Sequence, residues 1–179
     1  IPAQSPVSPN LYGYDPAFKS ENSTYDPARA KALLDMYGYV DRDGDGWRDL
    51  PDGKPLVIVR STQPEQVNRE FDTLWKKNLD AIGIKTTFNV GKWAEQLKSA
   101  RAGKLQVWSL SSSAADPDGQ GAFQRFHGPQ AGSQNLARFR NAELDAIYDR
   151  MQSLPDGPER LELFRRAKQI AVAFAPYKN

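Results

Sequence analysis

Residues 56–110 alternate short apolar runs with amphipathic stretches, and this alternation limits the fold more than any other feature. Leu56-Val57-Ile58-Val59 is a continuous β-branched run of the kind buried on both faces of a sheet. Glu65 to Ile82 then reads as a helix, with Val67, Phe71, Leu74, Trp75 and Ile82 on one side and Gly83 as its stop. Ile84 to Val90 is a second strand, rich in Thr and Phe. Trp93, Leu97 and Ala100 mark a short helix closed by Gly103, and Leu105 to Leu110 is a third strand. The order β-α-β-α-β with short connections predicts an α/β fold with a mostly parallel sheet and flanking helices.

Around this unit the chain reads in simpler pieces. Residues 1–25 carry Pro2, Pro6, Pro9 and Pro16, too many for helix or ladder, and predict an extended surface segment. Residues 26–179 are expected to form the α/β lobe. Asp26-Pro27 opens a helix with Ala30, Leu33, Leu34 and Tyr37 as its stripe and Gly38 as its end. A polar, Gly-rich stretch covers 111–135. Asn141 caps a helix whose stripe is Leu144, Ile147, Tyr148 and Met151. A last helix starts at Asp156-Gly157-Pro158 and is expected to bury Leu161, Phe164, Ile170 and Phe174.

Composition narrows the function. Hydrophobic residues make up 39% and charged residues 26%, the balance of a globular chain. The 24 basic and 22 acidic residues leave a net charge of +2 with no basic run, so no nucleic-acid partner or membrane-surface role is expected. The absence of cysteine excludes a disulfide scaffold, a thiolate metal site and a cysteine nucleophile. No apolar run approaches the ~20 residues of a membrane span. Ile1-Pro2-Ala3-Gln4 lacks the basic and apolar regions of a signal peptide, which is expected to have been lost with an upstream part; both ends read as cuts.

Three groups of residues bear on chemistry. Asp41, Asp43, Asp45 and Asp49, with Gly46, match a calcium loop whose twelfth position is Asp52 where a bidentate Glu belongs. Calcium is therefore a candidate, against a turn in which the carboxylates cap backbone N–H groups. His127 is the only histidine and cannot build a multi-histidine metal site; a triad from Ser111, Ser112 or Ser113 with His127 and Asp116 is formally open, but no nucleophile elbow accompanies it. Trp108 to Gly119 leaves the third strand at its carboxyl end, where open α/β sheets bind ligands. It offers Trp108, Ser111, Ser112, Ser113 and Asp116, followed by Arg125 and Phe126, a set suited to a polar organic ligand.

Several stretches together resemble the C-terminal lobe of the peptide-type (family 5) solute-binding proteins of ABC importers. They are Tyr25-Asp26-Pro27 to Leu34 with Gly38-Tyr39, Asp43-Gly44-Asp45-Gly46 with Asp52-Gly53-Lys54-Pro55-Leu56, and Trp75 to Ile84 with its Asn78-Leu79 and Gly83. Asp116-Pro117, Asn135 to Asp145, and Glu159-Arg160 to Pro176 complete the resemblance. It implies a periplasmic-binding-protein type II lobe, one of two that close on a ligand, with the N-terminal lobe absent from these residues. It further implies a non-enzymatic, periplasmic, monomeric protein that captures an oligopeptide or peptide-like solute and hands it to an ABC permease, with no cofactor. Peptide binders of this kind often place an Asp shortly before the Asp-Pro pair to hold the ligand's ammonium; here that stretch is Ser111-Ser112-Ser113-Ala114-Ala115. The competing readings are a calcium-binding structural or adhesion module and a serine hydrolase.

Overall fold

The computed structural model describes residues 3–111 and 114–177. The chain divides into two compact units, one of residues 26–110 and one that joins residues 1–25 to 111–179.

In the 26–110 unit, α1 (Pro27–Met36) starts where Asp26 accepts a hydrogen bond from the Arg29 backbone N–H at 2.9 Å, with Pro27 as the first helical residue. Strands β1 (Val57–Thr62), β2 (Lys85–Val90) and β3 (Val107–Trp108) alternate with α2 (Gln66–Asp80) and α3 (Trp93–Arg101). All pairings are parallel, and the strand order is β2-β1-β3. The predicted alternation is therefore present, with one difference. β3 spans two residues where Leu105 to Leu110 was expected. The Gln106 side chain accepts the Val59 backbone N–H at 2.7 Å, and so takes a donor that would otherwise extend the ladder.

The predicted apolar faces of this unit are largely uncovered. No residue of α1 is buried. On α2 the buried residue is Asp72, while Val67, Phe71 and Leu74 stay more than half exposed. Ile84 and Ala100 are the only buried apolar residues between 26 and 110. The rest of the buried set is polar and includes Arg60, Ser61, Thr62, Asp72, Thr86 and Gln96.

The other unit holds a conventional core. α4 (Ala142–Ser153) is capped by Asn141, whose Oδ1 accepts the Leu144 N–H at 2.9 Å, and buries the expected Leu144, Ile147, Tyr148 and Met151. α5 (Pro158–Phe174) buries Phe164, Ala167, Ile170 and Ala171. Leu161 and Phe174, expected inside, are instead 45% and 63% exposed. Arg160 holds the inward position near the start of α5, where Asp118, Asp156, Gln120 and the Met151 carbonyl accept its protons.

Residues 1–25 do not form the separate surface segment expected of them. Val7 is 2% exposed inside the core, and Leu11 and Tyr12 pack against it. The Tyr12 hydroxyl accepts the Gly157 N–H at 2.8 Å, and its ring meets Phe164 edge-on at 5.6 Å. Gly13 has φ +82°, and a Cβ there would lie 2.2 Å from the Phe164 ring, so only glycine lets the segment pass. Proline density correctly excludes helix and strand, but it says nothing about where an irregular segment packs.

Candidate ligand-binding site

The topology of the 26–110 unit itself points to a ligand position. From β1 the chain moves through α2 to β2, then crosses back through α3 to β3 on the other side of β1. Asp72 of α2 reaches Arg60, and Trp93 of α3 reaches Trp108, which shares a register with Ser61. Arg60 and Ser61 alternate across the sheet, so the two helices lie on opposite faces. β1 thus leads into α2 on one face, and β3 is entered from α3 on the other. The strand order reverses between β1 and β3, and the carboxyl ends of strands at such a point are the usual ligand position in open α/β sheets.

The ends of these strands are built around Arg60. Its Nε donates to Asp72 Oδ1 at 2.8 Å, its Nη1 donates to Ser109 Oγ at 2.8 Å, and its guanidinium lies 5.0 Å from the centre of the Trp75 ring. A guanidinium that is 2% exposed needs such a counter-charge and such acceptors, because burying a lone charge is costly. The result pins the first residue after β3 to the last half of β1. Beside it, Trp93 and Trp108 lie 4.9 Å apart at 38°, with Trp93 47% exposed. Trp108 Nε1 and Thr62 Oγ1 are both buried without a hydrogen-bond partner. An unmet buried donor costs about 1–3 kcal/mol until an acceptor arrives. Sequence reasoning missed Arg60 and Trp93. Arg60 lies in a strand end read only for its apolar run, and Trp93 was assigned to an apolar helix stripe. A charged residue directly after four apolar ones was the available signal.

The other predicted site residues fall in the second unit. Ser111 is exposed, and Ser112 and Ser113 lie outside the described residues. Asp116 is exposed, and its Oδ1 accepts the Asp118 N–H at 2.9 Å, a local turn rather than a helix cap. Asp118 provides the cap: its Oδ1 accepts the Gln120 N–H at 3.0 Å and starts the 3-10 helix Gly119–Phe126. Arg125 lies half-buried with its guanidinium 5.9 Å from the Tyr177 ring centre. Phe126 must be reassigned. It is 1% exposed, with Tyr177 at 5.3 Å and Phe139 at 6.4 Å, so its ring belongs to the core and offers no face to a ligand. Phe123 and Phe126 are three apart, the period of a 3-10 turn, which is the signal that the polar reading of 111–135 overlooked.

In the acidic loop, Asp41, Asp43 and Asp49 each bring one carboxylate oxygen within 4.8 Å of the others. Asp45 and Asp52 do not join them. Asp45 accepts the Trp47 N–H, and Asp52 pairs with Lys54 at 2.7 Å, which holds its pKa below the ordinary carboxylate value. The three grouped carboxylates are also engaged. Asp41 accepts the N–H groups of Gly44 and Gly46, Asp43 that of Asp45, and Asp49 that of Arg42. Among the described residues, the hydrolase candidates do not come together. His127 is 7% exposed, its Nε2 lies 3.2 Å from Asp149 Oδ1, and neither ring nitrogen makes a hydrogen bond to Ser111 or Asp116.

Comparison with known proteins agrees with this architecture. Heme-binding protein A of Haemophilus influenzae is 29% identical over 98% of the chain, and di/tripeptide-binding protein 2 of Pseudomonas aeruginosa is 28% identical over 94%. In both cases the chain spans about 30% of the relative's length. The oligopeptide-binding protein AppA of Bacillus subtilis, solved with a nonapeptide, superimposes with a TM-score of 0.87 at 23% identity, over 99% of this chain and 35% of that one. The model of the bacterial extracellular solute-binding proteins, family 5, matches residues 1–134, and the chain belongs to that family.

Proposed function

We propose that this chain is one lobe of the solute-binding component of an ABC importer, working in the periplasm or an equivalent extracytoplasmic space. It captures an oligopeptide or peptide-like solute, and the membrane permease receives that solute. The facing wall of the site comes from the rest of a longer polypeptide, since the chain spans only about 30% of its curated relatives. What supports this reading is the strand ends of a family 5 chain at which the strand order reverses, with exposed Trp93 beside Trp108 and the unmet Trp108 indole N–H. A peptide offers both complements: flat apolar faces for the tryptophan pair and carbonyl acceptors for the donor. Proteins of this family bind solutes and are not enzymes.

The run Ser111-Ser112-Ser113-Ala114-Ala115 holds no carboxylate, so this lobe offers the ligand's ammonium no counter-charge there. The proposal therefore favours ligands whose amine is blocked or is met by the other wall. Calorimetry on the polypeptide encoded by the full reading frame tests this with free and N-acetylated di-, tri- and oligopeptides. Micromolar or tighter binding, no weaker for the acetylated series, is expected. Binding of a free tripeptide that acetylation abolishes would overturn the ammonium statement, and no binding across the series would overturn the peptide reading.

A further inference from the structure

His127 is a buried imidazole whose two ring nitrogens both lack a hydrogen bond. Its surroundings hold it in place. The His127 carbonyl accepts the Gln130 N–H at 3.0 Å and Asn135 Nδ2 at 3.1 Å, so the backbone is fixed from the loop side. From the helix side, Asp145 Oδ1 accepts the Gly128 N–H at 2.6 Å, and the Tyr148 ring lies 4.7 Å from the imidazole. Asp149 follows Asp145 by one turn of α4 on the same face. Its Oδ1 stands 3.2 Å from His127 Nε2. A nitrogen and an oxygen this close can share a proton, but these two are too poorly aligned for a hydrogen bond. The Asp149 side chain is 64% exposed, so the pair is open to solvent through its carboxylate.

Two donors at this spacing, out of line with each other, match neighbouring ligands of one metal ion. Zinc binds imidazole nitrogen and carboxylate oxygen at about 2.0–2.2 Å, and bond angles between square and tetrahedral then separate the donors by roughly 2.9–3.5 Å. We infer that His127 Nε2 and Asp149 Oδ1 form a two-point site for zinc, with water filling the remaining positions. A mixed nitrogen and oxygen pair suits zinc better than magnesium or calcium, which take oxygen ligands. The imidazole is already held by the loop and by α4, so only the Asp149 side chain has to be ordered on binding. The site is distinct from Asp41, Asp43 and Asp49, which offer oxygen alone and already accept backbone N–H groups. The inference is independent of the solute reading, and the failure of either leaves the other intact.

Calorimetry with zinc chloride on the polypeptide of the full reading frame tests the site through its variants. Wild type should show a zinc-binding event that an equal concentration of magnesium does not displace. His127→Gln and Asp149→Asn should each weaken that event at least about tenfold, because a two-point site keeps little affinity on one donor. Asp43→Asn, in the acidic loop, should leave it unchanged. Asp149 is exposed, so Asp149→Asn should melt with wild type and decides the question even if His127→Gln fails to fold. Zinc binding that survives the loss of Asp149, that magnesium displaces, or that only Asp43→Asn removes would overturn the inference. So would the absence of any zinc-binding event.

Discussion

The two units of this chain solve the problem of burial in opposite ways. Among the described residues, 1–25 with 111–179 close around eleven buried apolar side chains, with Phe123, Phe126, Leu144, Met151 and Phe164 at 1% exposure or less. Residues 26–110 bury Ile84 and Ala100, but also Arg60, Asp72, Thr86 and Gln96. Gln96 donates to the Thr62 and Asn89 carbonyls, and Arg60 ties β1 to α2 and to Ser109. Apolar packing is tolerant in direction, whereas a buried polar pair fixes its partners in one geometry. The first unit is therefore organised to be stable, and the second to hold strand ends in place.

The contrast can be tested, starting with the largest effect. Phe164→Ala removes a fully buried ring that touches Tyr12 and Phe123, and should cost about 4 kcal/mol in denaturant unfolding. A cost under about 1 kcal/mol would mean that this core collapses as readily as a surface, erasing the difference between the units. Next, Asp72→Asn leaves Arg60 buried without its counter-charge and should cost about 3 kcal/mol, while the double change Arg60→Met with Asp72→Leu should stay within about 1 kcal/mol of wild type. If the double variant is as unstable as the single one, the polar core supplies net stability and not geometry.

A smaller effect sharpens the comparison from within the apolar unit. Lys168 is 2% exposed, and burial lowers its pKa from the ordinary 10.5, against the pull of Asp15. The folded state then binds fewer protons than the unfolded state between the lowered value and 10.5. The lysine's contribution to stability must therefore rise with pH through that window. Wild type should gain on Lys168→Gln as pH is raised from 7 towards 10 in parallel melts, and a constant gap would refute the burial cost. The smallest effect is expected at the acidic loop. Its carboxylates already accept backbone N–H groups, so melting curves with millimolar calcium and with chelator should agree within about 2 °C.

Legibility in the sequence follows the same divide. Caps and stops were readable because each is a local hydrogen-bonding need: Asp26 and Asn141 accept the N–H groups expected of them, and Gly83, at φ +79°, ends α2. The parallel β-α-β-α-β order was readable because apolar runs and helical periods alternate. What covers an apolar face was not readable, so the stripes of α1 and α2, along with Leu161 and Phe174, were assigned to a core that does not enclose them. Buried polar residues left almost no trace. The one mark on Arg60 is a charge directly after four apolar residues, and it is 2% exposed where Val59 is 40%. Of the expected site residues, Trp108 packs against Trp93, and Phe126 belongs to the core, a place that its three-residue spacing from Phe123 signals.

The bond between Tyr12 and Gly157 joins residues 145 positions apart. Its consequence is one of timing. The 26–110 unit is an insertion within the other, and its strands and helices are close neighbours along the chain, so it can form while the polypeptide is still being made. The unit whose sequence flanks it must wait until α5 has left the ribosome, when Val7, Tyr12 and Gly13 first meet the surface they pack on. During that interval residues 3–25 lack the α5 surface they pack on, and a pause in translation before Gly157 would lengthen their exposure to proteases. The better-packed half of the molecule is thus the later one to assemble.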